Sequence, residues 1–135
     1  MQINIGLEKV EKILHVADIH IRNFKRHKEY RQVFRKLYKD AKQLPKNSII
    51  YVAGDIVHTK TDISPELVEL TSEFFRKLAD IRPTIVITGN HDANLNNSSR
   101  LDALSPIIDN LNHPNLHYLK DSGIYRVCDI DFIVM

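Results

Sequence analysis

The chain has 135 residues, 43% of them hydrophobic and 27% charged, enough apolar material for one ordinary domain with a real core. Four Gly and five Pro exclude collagen-like and linker compositions, and no apolar run approaches the roughly 20 residues a membrane-spanning helix needs. A single cysteine, Cys128, cannot form an internal disulfide, and the stretch from Met1 to Ile13 lacks a signal-peptide core, so a cytoplasmic or nucleoid-associated setting is expected.

Short β-branched runs alternate with helical patterns along the chain. Ile13 to Ala17 predicts the first strand, and near-continuous apolarity there suits a strand covered on both faces. Tyr30, Val33, Phe34, Leu37, Tyr38, Ala41 and Leu44 then recur in steps of three and four, the stripe of an amphipathic helix. The remaining faces of that helix carry a basic block. Between Arg22 and Lys46 stand ten Lys and Arg against Glu29 and Asp40, while the rest of the chain is net acidic. Such a block suits a polyanionic partner, or is simply a solvated helix face.

Ile49 to Ala53 predicts the second strand. Ser64 as N-cap and Pro65 at the first helical position open a second helix, marked by Leu67, Leu70, Phe74, Phe75 and Leu78. Thr84 to Thr88 predicts the third strand. After a polar loop, Leu101, Leu104, Ile108 and Leu111 have helical spacing, with Pro106 breaking the run and Ser105 capping a short second piece. Leu116 to Leu119, Ile124 to Cys128 and Asp131 to Met135 close the chain as strands, with Asp121-Ser122-Gly123 as a turn. The order β-α-β-α-β-α-β-β-β argues an α/β fold with right-handed crossovers. The last strand runs to Met135 without a polar tail, so a single domain over 1–135, truncated at its carboxyl end, is expected.

Each of the first three strands ends in a polar cluster. These are Asp18-Ile19-His20, then Gly54-Asp55-Ile56-Val57-His58, then Gly89-Asn90-His91-Asp92. In a parallel sheet the three clusters share the carboxyl edge, where α/β proteins bind ligands. An oxygen-and-nitrogen donor set without cysteine suits Mn²⁺, Fe²⁺ or Zn²⁺. Paired cations bridged by an Asp can activate water for in-line phosphoryl displacement.

These three clusters, in this order, resemble the amino-terminal half of the calcineurin-like metallophosphoesterases, an αββα sandwich. The chain is most similar to the SbcD-type DNA-repair exonucleases. Phosphoprotein phosphatases usually follow Gly-Asp with Asp-Arg and end the third motif in Glu, whereas this chain has His58 and Asp92. The resemblance runs from about Ile13 onward and leaves the first dozen residues outside it.

The resemblance implies a Mn²⁺-dependent DNA nuclease of the repair and recombination type, working with two divalent metal ions. It assigns Asp18 and His20 to the first metal, Asp55 to both and Asn90 to the second. His91 would be the catalytic histidine, His58 a supporting catalytic residue, and Asp92 would orient His91. Arg22, Lys25, Arg26, Lys28 and Arg31 would grip the DNA backbone, and the implied partners are DNA, an SMC-like ATPase and a second copy of the chain, with no membrane. Homodimer contacts would fall between Arg100 and Leu111, where core packing is an equal alternative. The same motifs also suit a small-molecule phosphodiesterase or phosphatase, or a non-catalytic scaffold.

The family completes its second metal site with Gly-His and Gly-His-x-His motifs, which this chain lacks. Metal two therefore keeps only Asp55 and Asn90, and the chain alone is expected to bind metal weakly and turn over little. His113 and His117 are expected in surface or structural roles, and His15 as a packed core residue; His27 belongs to the basic block.

Overall fold

The computed structural model describes residues 2–21, 27–54, 56, 64–87 and 104–135. Strands β2 (Lys12–Ala17), β3 (Ser48–Ala53), β4 (Thr84–Ile87) and β5 (Leu116–Leu119) form one parallel sheet in that order. Helices α1 (His27–Ala41), α2 (Pro65–Ile81) and α3 (Ser105–Leu111) complete the βα units. Strand alternation decides which layer each side chain meets. Leu14, Val16, Ile50, Val52, Val86 and Leu116 pack with the helices. Ile49, Tyr51, Ile85, Ile87 and Leu119 pack instead against a second sheet. The layers are therefore helix, parallel sheet, second sheet.

That second sheet has the order β1-β6-β7, built from β1 (Gln2–Ile3), β6 (Gly123–Val127) and β7 (Ile130–Val134). β1 runs parallel to β6, and β6 antiparallel to β7. The first ten residues thus belong to the architecture, although no sequence period marked them. Ile3, Ile5, Leu7 and Val10 all pack on the inter-sheet core. The Cys128 thiol donates to the Leu7 carbonyl at 2.7 Å, and the Val10 amide donates to the Asp129 carboxylate at 3.0 Å. Cys128 and Asp129 make a two-residue hairpin turn, with Cys128 at φ 56°, so β6 stops at Val127 rather than running on to Cys128.

Helix α2 starts where its capping residues place it. The Ser64 hydroxyl accepts from the Leu67 amide at 3.1 Å, with Pro65 behind it. α3 differs from expectation: its cap is Leu104, which offers no side-chain hydrogen bond, and Ser105 lies inside the helix. Pro106 in the first turn, with its φ already helical, sets this start without a polar cap. Leu104, Ile107 and Ile108 are buried and Leu111 packs beside them, so this part of the 100–111 segment serves the core. Leu101 lies outside the described residues.

One stripe assignment and one core assignment also change. Val33 is 64% exposed and lines a groove of about 470 Å³ between β2 and α1, because it sits at the margin of the helix's buried face. His15 is exposed on the outermost strand of the parallel sheet among the described residues, and its ring leans on Tyr51 with centroids 5.0 Å apart. An edge strand has no neighbour to cover that side, which is why His15 is not in the core. Among the described residues no helix is long and apolar enough to cross a membrane.

Candidate metal centre

The parallel register places the strand ends level. Ala17 pairs with Ala53, Ala53 with Ile87, and Ile87 with Leu119. Asp18 therefore leaves β2 at the same height at which Gly54 leaves β3. Two backbone bonds lace this rim together. The Ile21 amide donates to the Ile56 carbonyl at 2.7 Å, and the Gly54 amide donates to the Ile87 carbonyl at 3.0 Å. Ile21 and Ile56 are both fully buried, so the polar tips stand on an apolar floor.

The backbone at the tip of β2 is unusual. Asp18 and His20 adopt φ of 56° and 52°, the left-handed region that L-residues enter at a cost, and Gly54 follows at 31°. Non-glycine residues persist there when the surroundings hold them, and such positions cluster at ligand sites. One restraint on His20 is plain. The Tyr30 hydroxyl, from the first turn of α1, donates to the His20 carbonyl at 2.6 Å. Tyr30 reads in the sequence as one more apolar-stripe position. Only its hydroxyl, at the end of the helix nearest the rim, hints at more.

Asp18 is exposed and His20 half-buried. A carboxylate and an imidazole two residues apart on a rigid strand end suit a divalent cation of borderline hardness. Of the residues expected to complete the site, Asp55, His58, Asn90, His91 and Asp92 lie outside the described residues. Among the described residues no group of three or more His, Cys, Asp or Glu is close enough to hold a metal. Asp18 and His20, the two expected ligands that are described, supply an oxygen and a nitrogen donor, the chemistry such a cation takes.

The other histidines lie elsewhere. His113 precedes β5 at the opposite edge of the sheet, where its Nε2 meets the Asp80 carboxylate at 2.7 Å and its Nδ1 accepts from the Asn115 amide at 3.1 Å. It fastens the start of β5 to the end of α2. His117 sits within β5 opposite Ile85, and its buried Nε2 has no hydrogen-bond partner among the described residues.

The basic residues expected to contact a polyanion divide likewise. Arg22, Lys25 and Arg26 lie outside the described residues, and Lys28 is exposed in the first turn of α1. Arg31 is engaged by Glu73 of α2 at 2.7 Å, and Lys77 reaches the same carboxylate at 3.0 Å. Hydrogen bonding from Lys77, reinforced by Arg31, holds the Glu73 carboxyl below the usual range despite its partial burial.

A family model for calcineurin-like phosphoesterases matches residues 11–133. Among curated proteins, the uncharacterized protein R555 of Acanthamoeba polyphaga mimivirus is 50% identical over 127 residues. That match covers 92% of this chain and 9% of the relative, so the chain spans about a tenth of the relative's length. With helices and a parallel sheet whose strand ends carry the Asp-x-His and Gly-Asp motifs, and a family match over most of its length, the chain belongs to the calcineurin-like phosphoesterases.

Proposed function

We propose that the chain supplies part of the metal site of a phosphodiesterase that cleaves nucleic acid, a nuclease of the DNA-repair type that uses two Mn²⁺ ions. The observation that carries this reading is the level ending of β2, β3 and β4, the strands that precede the three motifs in the chain. Family membership supports hydrolysis of a phosphoester. The basic residues that follow Asp18-x-His20 directly in the chain favour a polyanionic ester over a small one.

On this reading the Asp18 carboxylate, the His20 imidazole, the Asp55 carboxylate and the Asn90 side chain hold the cations. When bound, the cations supply Lewis-acid polarisation and activate water. His91 protonates the departing oxygen, Asp92 keeps its ring oriented, and His58 positions groups beside the phosphate. Tyr30 donates to the His20 carbonyl and so restrains the left-handed backbone that carries the imidazole.

The test compares cleavage of a labelled DNA duplex with that of bis-p-nitrophenyl phosphate in Mn²⁺, using the longest natural polypeptide that contains this sequence. DNA cleavage lost on Asp18→Ala and on His91→Ala supports the proposal. Hydrolysis of the small ester with intact DNA at every metal concentration overturns the nuclease reading.

A further inference from the structure

We infer that α1 and α2 together form a second nucleic-acid contact, a cationic groove that leads away from the metal rim toward the opposite edge of the sheet. This takes its choice of polyanion from the proposed phosphodiesterase reading, but the residues that test it, Lys39 and Lys42, have no part in that reading.

Lys28, Arg31, Arg35, Lys39 and Lys42 follow spacings of three, four, four and three. At roughly 100° per residue they fall within a stripe about 80° wide on one side of α1. Lys42 lies one residue past the helix, yet its amide still donates to the Tyr38 carbonyl at 3.1 Å, which keeps it on that side. Glu29 and Asp40, the acids of this segment, lie roughly 120–140° from Arg35 around the helix. At about 1.5 Å per residue the stripe is roughly 20 Å long. That length spans about six phosphates of one duplex strand.

The groove beside the stripe is bounded on its far side by α2. It continues through two adjoining hollows that share Arg35, Tyr38 and Lys77, the larger of about 370 Å³. Of its two acids, Glu73 pairs with Arg31 and Lys77, and Asp80 hydrogen-bonds the His113 ring and keeps its charge, so five cations face two carboxylates. Arg35, Lys39 and Lys42 are exposed, and their side chains have no ion-pair partner among the described residues. Three cations are therefore left uncompensated in a row.

The stripe's near end adjoins the metal rim, because Tyr30 in the same first turn reaches the His20 carbonyl. Cations near the end of α1 also favour the helix dipole. That effect acts within the last turn and accounts for neither Arg35 nor the unbroken spacing. A protein partner would need apolar anchors at the centre of its contact. Phe34 and Tyr38, the aromatic rings that line the hollows, are both buried, and Tyr38 lies under the Lys77 ammonium at 5.4 Å. A sugar-phosphate backbone is the occupant that fits.

The experiment measures fluorescence anisotropy of a labelled 20-nucleotide single strand and of the matching duplex, with EDTA present so that no turnover intervenes. Lys39→Glu with Lys42→Glu is compared with Lys9→Glu with Lys12→Glu, an equal charge change at exposed sites outside the groove. We expect at least a tenfold affinity loss for the first pair and less than twofold for the second. The dependence of log Kd on log salt should fall by about 1.5 to 2 for the first pair alone. Equal losses in both pairs, or none, overturn the groove. So does poly-glutamate binding as tightly as DNA through Lys39 and Lys42, which would assign the groove to acidic protein. If the reversed pair unfolds, Lys39→Gln with Lys42→Gln removes the same two phosphate contacts and should give a slope change of about the same size. Groove-dependent binding without any DNA cleavage in Mn²⁺ leaves this inference standing and removes the catalytic one.

Discussion

The Ile21 amide donates to the Ile56 carbonyl at 2.7 Å, joining the segment just after Asp18-x-His20 to the residue just after Asp55. Both side chains are fully buried, so the bond is shielded and the two motif-bearing segments move as one. Packing and this bond tie this half of the rim together.

Truncating that floor should therefore harm the site beyond its cost in stability. Ile56→Ala is expected to lose about 2–4 kcal/mol in urea unfolding, through lost burial and the cavity left behind. Ile108→Ala, in the same core but away from the rim, serves as a control of similar cost. Mn²⁺ binding should weaken more in Ile56→Ala than in Ile108→Ala, and equal weakening would show that the floor does not organise the donors.

Asp18 illustrates an opposition between stability and function. Its carboxylate is exposed while its backbone sits at φ 56°. Glycine adopts that angle without steric cost, offset in part by its greater freedom when unfolded. Asp18→Gly should leave the melting temperature unchanged or raise it, by up to about 1 kcal/mol of stability, while abolishing Mn²⁺ binding. A clear loss of stability would mean that the carboxylate has a structural partner.

His117 should make the fold acid-sensitive. Burial lowers its pKa, and its buried Nε2 lacks a partner. The folded state therefore favours neutral imidazole, and the unfolded chain binds more protons. The contribution is fully present above the ordinary histidine pKa of about 6.5 and is lost as the pH falls through the lowered folded value. His117→Leu should raise stability by about 1 kcal/mol near neutrality by removing an unpaired buried polar atom. The gain should grow as the pH drops below about 6.5, as followed by urea titrations at pH 5.5 and 8. A pH-independent gain would contradict this account.

Much of the fold was legible because local pattern and tertiary role agree. The apolar runs at Ile49–Ala53 and Thr84–Ile87 are strands buried on both faces, and Ser64-Pro65 opens α2 as its chemistry dictates. β1 was not legible, since two residues in a charged context carry no period and pair only once β6 exists. His15 was misread because a strand sequence does not reveal that its strand lies at an edge. The level strand ends that precede the three motifs were legible, and the register bears them out. Tyr30's bond to the His20 carbonyl was not, because it depends on a helix folding back ten residues later.

The central claim is that divalent cations bind at the carboxyl rim of the parallel sheet. Backbone amide NMR of the labelled chain, titrated with substoichiometric Mn²⁺, reads this directly even for weak binding. We predict paramagnetic broadening confined to residues 17–21, 53–58 and 87–92, and its loss in Asp18→Asn. Broadening centred on the opposite edge, around His113 and the end of α2, or broadening unaffected by Asp18→Asn, would contradict the account.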